Sequence, residues 1–154
     1  MRRLALIATA CIATACVHVT TDPVTGRRDV DVEQPGKRGE DWTATLTGQG
    51  SSSGVTGTLS AAVLSGTTTA SLTVNGATPG ATHPWHIHNG TCATGGGIVG
   101  TPAGYPPLVI GDEGSGRASV QLQLQLNEAQ RYHVNVHASA SDMATIVACG
   151  DLTN

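Results

Sequence analysis

From Ala118 to Leu126 the chain alternates strictly, with Val120, Leu122, Leu124 and Leu126 set against Gln121, Gln123 and Gln125. Side chains two apart on an extended strand share a face, so this segment predicts a strand with one face in a core and the other in water. Further strands are expected at Trp42–Thr47, Val55–Leu64, Thr67–Asn75, His83–Asn89, Leu108–Ile110, Arg131–Ser139 and Thr145–Cys149. Turn signals separate them at 48–54, Ser65-Gly66, Asn75-Gly76 and 111–116. Glycine is frequent, charge is sparse and Phe is absent, and no segment reads as a helix. Seven or eight antiparallel strands in 154 residues predict one all-β domain, a Greek-key sandwich or barrel with a real core.

The N-terminus reads as a targeting segment. Met1-Arg2-Arg3 is basic, and Leu4 to Ala15 is an apolar run of signal-peptide length, too short to span a bilayer. It ends Ala13-Thr14-Ala15-Cys16, which resembles the bacterial lipobox, with Ala where Leu is usual. Lipidation of Cys16 and ordinary cleavage after Ala-Thr-Ala are both open, and an exported protein follows from either. The lipid would be the only membrane attachment. We therefore expect a signal peptide at 1–15, a flexible tether at 16–41 and a folded domain at 42–154. The tether assignment rests on its ten charged side chains and its Pro and Gly residues from Val17 to Asp41. From Trp42 onward only Arg117 and Arg131 are basic, against five acidic side chains. No basic stripe is present to neutralise phosphates, which argues against nucleic-acid binding.

Chemistry concentrates in His83-Pro84-Trp85-His86-Ile87-His88-Asn89-Gly90-Thr91-Cys92. On a strand His86 and His88 project together, with Cα atoms about 6.6 Å apart, and both imidazoles can grip one metal ion. Trp85 and Ile87 take the core face. In Tyr132-His133-Val134-Asn135-Val136-His137 the apolar residues likewise share one face, which leaves His133, Asn135 and His137 on the other. A metal held there sits on the outer wall of the barrel, with the Gly/Pro-rich loop from Thr91 to Pro107 as its natural cover. His133 and His137 stand about 13 Å apart along a straight strand, so they cannot share one ion. One of the two must be chosen, and spacing alone leaves both open.

Cys92 and Cys149 are the cysteines of the folded domain, and an exported protein meets an oxidising compartment. A disulfide between them closes a loop of 57 residues, worth about 4 kcal/mol by loop entropy.

The ordered set His-x-x-His-x-His, Gly, Cys, then Val-His and Ala-Cys-Gly near the C-terminus resembles the copper/zinc superoxide dismutase family. The resemblance covers residues 42 to 152. It implies an eight-strand Greek-key barrel with one copper ion on its outer face, held by His86, His88 and His137, which leaves His133 expected at the surface. It implies that His83 ties the copper strand to its neighbours and that Cys92 pairs with Cys149. Trp85 stands where the family has Phe. The family's zinc ligands and the histidine that bridges its two metals lie in a loop. Here no residue from Cys92 to Tyr132 is a histidine, so no zinc is expected at that site. Ile146 stands where the family has the arginine that guides superoxide to copper.

These departures leave three expectations. The first is a copper-binding protein of the bacterial cell envelope without efficient dismutation. The second is a zinc-free, copper-only dismutase that converts superoxide to O2 and H2O2. The third is a barrel that binds no metal. Three imidazoles also suit Zn(II) with an open fourth position.

Overall fold

The computed structural model describes residues 6–12, 15–22, 24–33 and 40–154. The chain divides into two compact units between residues 38 and 39. In the first, β1 (Leu6–Ile12), β2 (Ala15–Thr21) and β3 (Arg28–Glu33) form an antiparallel sheet in that order. Cys11 stands opposite Cys16 in the β1–β2 register. The turn between β2 and β3 is built on Asp22, whose carboxylate accepts the N–H groups of Val24 and Thr25 at 2.7 and 3.0 Å. Those bonds hold the Asp22 carboxyl below its ordinary range.

The sequence reading placed 16–41 in a flexible tether, whereas β2 and β3 occupy much of it. Val17, Val19, Val30 and Val32 alternate along these strands, a β-branched pattern that the charge count overlooked. Residues 34–39 of that segment, the basic residues 1–3, and Ala13 and Thr14 of the expected cleavage site lie outside the described residues.

The second unit carries β4 (Glu40–Gly48), β5 (Thr56–Leu64), β6 (Thr67–Asn75), β7 (Thr82–His83), β8 (Trp85–Asn89), β9 (Leu108–Val109), β10 (Gly116–Leu122), β11 (Tyr132–Ser139) and β12 (Asp142–Asp151). Seven of these form one curled antiparallel sheet, a half-barrel, in the order β10-β6-β5-β4-β12-β11-β8. The remaining two, β7 and β9, pair with each other, and a bridge from Ile110 to Gly116 ties the end of β9 to the start of β10. Among the described residues there is no α-helix, only 3-10 turns at Gly50–Ser52 and Pro102–Gly104.

The inner face collects the core: Leu46, Leu59, Leu72, Val74, Trp85, Ile87, Val134 and Val136 are fully buried. Two edge-to-face aromatic pairs brace it, Trp42 with Tyr132 at 5.5 Å and Trp85 with Tyr105 at 5.2 Å. Some strand boundaries differ from expectation: β12 extends beyond Thr145–Cys149 at both ends, and Pro84 divides the expected His83–Asn89 strand into β7 and β8. The β10 ladder stops at Leu122, although burial still alternates to Leu126. There the buried hydroxyl of Thr68 donates to the carbonyl of Leu124 at 2.8 Å and accepts from Leu126 N–H at 3.3 Å. A side chain has replaced the neighbouring strand, so the face pattern outlives the ladder.

Candidate metal centre

Two strands and one loop build the site. In the β8–β11 ladder His88 pairs with His133 and His86 with Asn135, so these side chains share the outer face. Proline 84 interrupts the strand before β8, and its carbonyl accepts His137 N–H at 2.8 Å. The β11–β12 register shifts between Val136 and His137, because β12 carries an extra residue there. Such a bulge re-aims the side chain beside it, here His137.

The loop from Thr91 to Pro107 lies over this face. Asn89 N–H donates to the carbonyl of Gly97, and Val99 N–H to that of Ile87. Gly96 is required for the close approach, since a Cβ there would collide with the Asn89 carbonyl. Tyr105 pins the loop, donating from its hydroxyl to the carbonyl of Val99 at 2.8 Å with its ring 5.1 Å from that of His86. Trp85 Nε1–H reaches the carbonyl of Pro106. Burial pushes the Tyr105 phenol up to about 12. The Cys92–Cys149 disulfide is present, with Cα atoms 6.0 Å apart, and staples the start of the loop to β12.

Under that cover the ligand atoms of His86, His88 and His137 lie within 4.8 Å of one another, and all three residues are buried. Their hydrogen bonds assign the tautomers. The Nδ1–H of His88 donates to the carbonyl of Gly96 at 3.0 Å and that of His137 to the carbonyl of Met143 at 2.7 Å. Each ring therefore turns a bare Nε2 to the cluster, the arrangement that fixes metal-ligating histidines elsewhere. The Nε2 of His88 is buried with no partner. The Nδ1 of His86 lies 3.3 Å from the Nε2 of His137 and donates to it. Two nitrogens about 2.0–2.1 Å from one tetrahedral ion would stand about 3.3 Å apart. A metal would replace that shared proton, and His86 would change to the Nε2–H tautomer. The three residues fit one metal ion, and an ion would satisfy the orphaned nitrogen of His88.

Burial, then the neighbouring His137 and His88, lowers His86 to about 4. Burial also lowers His137 and His133. The lowered values keep the His86 and His137 rings neutral near pH 7, the state a metal requires.

His83 is buried as well. Its Nδ1–H donates to the carbonyls of His137 and Ala138 at 2.9 and 3.1 Å, tying β7 to the ligand strand. His133 corrects the sequence reading. It is 1% exposed rather than on the surface, and its ring stacks on that of His88 at 5.1 Å and 22°. Distance along a strand says nothing of burial, which the ring of His88 across the ladder imposes on His133. Sequence reasoning also passed over Tyr105 and the carbonyls of Gly96 and Met143. An aromatic in a Gly/Pro-rich loop of a Phe-free chain was the one available signal.

Ile146, half-buried, pairs with His137 in the β11–β12 ladder. Arg117 lies on β10, at the other end of the strand order from β8, and Arg131 is exposed just before β11. No family model matches the sequence, and no curated protein does.

Proposed function

We propose that this chain is an exported copper-binding protein on a superoxide dismutase-type barrel, holding one copper ion at His86, His88 and His137. The observation that carries this reading is the convergence of three ring nitrogens, two of them on rings fixed by carbonyl bonds from the far side. Imidazole donors suit copper in both oxidation states. The strand order, with β9 joining β7 to β10, is compatible with an eight-strand Greek-key barrel. The basic, then apolar, leader and Cys16 support export and a lipid anchor.

Binding without efficient dismutation is favoured by the wall around the site. Ile146 opposes His137 where the family has its guiding arginine. From Glu40 onward seven acidic side chains face two arginines, so the field does not draw an anion inward. A copper-only dismutase is the second reading, favoured because three protein ligands leave a four-coordinate ion one position for an outside ligand. Copper would supply the one-electron chemistry by which two superoxide ions and two protons become O2 and H2O2. The chain's own residues would hold the ligand rings in place and keep the site under the loop.

The test is a superoxide-removal assay on the copper-loaded chain beside its Ile146→Arg variant, with metal content measured on both. Copper with little activity, raised by Ile146→Arg, is the expected result. High activity in the parent chain would favour the second reading, and no copper uptake would end both.

A further inference from the structure

Of the buried histidines beyond the three ligands, His133 has the least obvious use. It is the most buried of all, and nothing in the three-nitrogen cluster needs it. Its Nε2 accepts a long hydrogen bond from the Nδ2 amide of Asn135 at 3.4 Å, and its buried Nδ1 faces the Gly90 backbone without a well-formed hydrogen bond. A buried polar ring so weakly bonded costs free energy that an apolar side chain would not. His133 also stands outside the group of nitrogens within 4.8 Å of one another, so it is not a fourth ligand in this arrangement. What it does make is a near-parallel stack on His88, directly across the ladder.

Among the three ligands, His88 is the one that depends most on outside support. The ring of His86 is flanked by Tyr105 at 5.1 Å and by His137 at 5.2 Å. The carbonyl partner of His137 lies in the adjoining hairpin, on Met143. The His88 ring donates its one side-chain hydrogen bond among the described residues to the carbonyl of Gly96, an exposed residue of the covering loop. The rings of His86 and His137 meet it only edge-on or tilted, at 5.8 and 5.7 Å, which leaves its plane to be set from the other side. A flat ring packed parallel to it sets that plane, because tilting His88 would drive its edge into His133.

We propose that His133 is a positioning residue for His88, whose Nε2 it holds toward His86 and His137 by stacking on the ligand's ring. The proposal rests on the metal reading for its purpose, though the stacking acts in the metal-free chain as well. Hydrogen-bond partners that orient ligating histidines are worth roughly 10- to 100-fold in metal affinity, and misplacing the His88 ring is expected to cost a similar amount.

The experiment compares His133→Leu, which fills the space without a flat ring, with His133→Phe, which restores one. In the metal-free full chain, 15N imidazole spectra should give His88 as a single Nδ1–H tautomer in the parent and in His133→Phe. In His133→Leu the His88 signals should broaden or mix. Copper(II) affinity, read by competition against a chelator, should fall roughly 10- to 100-fold in His133→Leu and stay within about threefold in His133→Phe. Unchanged His88 signals and affinity in His133→Leu would overturn the proposal, as would a Phe variant no better than Leu. If the parent takes up no copper, the proposed function fails, while the His88 spectra still decide the positioning role.

Discussion

The outer surface of one curled sheet is treated in two opposite ways. On β4, β5 and β6 it is a bare polar face, with Thr43, Thr45, Thr58, Ser60 and Ser71 all exposed. On β8 and β11 the equivalent face holds His86, His88, His133 and His137, all buried. The strands have the same alternation in both places, so the strand pattern does not make the difference. The cover does. A loop pinned by Tyr105, Trp85, Gly96 and a disulfide turns one patch of outer wall into a second, polar interior, where unpaired nitrogens become worth satisfying.

If the cover makes the site, loosening it should cost far more than altering the bare face. The largest effect is expected from Cys92→Ser, which removes the staple between loop and β12. Loop entropy gives about 4 kcal/mol of lost stability, to be measured by denaturant unfolding against the parent. A loss below about 1 kcal/mol would mean that the reduced chain keeps the loop in place without it. Next comes Gly96→Ala, whose new Cβ meets the Asn89 carbonyl. The loop must lift, His88 loses its carbonyl partner, and copper affinity should fall roughly 10- to 100-fold. Parent-like affinity in that variant would show that the carbonyl is dispensable.

Acid should separate the two faces without any mutation. His86 has its ordinary value of 6.5 lowered to about 4, so between those values the unfolded chain binds more protons than the folded one. Stability from this group is fully present above about 6.5 and is lost as pH falls toward about 4, with His137 and His133 adding in the same direction. Melting temperatures of the metal-free chain should therefore drop from pH 7 to pH 5, and less so in His86→Phe. A flat profile across that window would contradict the buried, neutral cluster. The smallest effect belongs to the bare face, where Thr58→Ala should change stability by no more than about 0.5 kcal/mol and leave copper binding alone.

The same contrast explains what could be read from the sequence. The strands from β4 to β6 were legible because each turn signal and each alternation is local. The grouping of His86, His88 and His137 was legible too, since a period of two puts them on one face and the resemblance singled out His137. The fate of His133 was not, because it depends on a ring across the ladder and a loop some forty residues earlier. The end of β10 was hidden for a similar reason: the partner that replaces its ladder is the side chain of Thr68, on another strand. In β2 and β3 the valine alternation was present, but charge and Pro/Gly content drew the reading toward a tether.

The claim at the centre is that three fixed histidines bind one copper ion. Equilibrium dialysis of the full chain against Cu(II), with metal analysis and EPR, tests it most directly. One tightly held copper per chain and nitrogen hyperfine structure in the spectrum are expected, with loss of both in His137→Ala. Substoichiometric copper, or a His137→Ala variant that binds and looks like the parent, would contradict it.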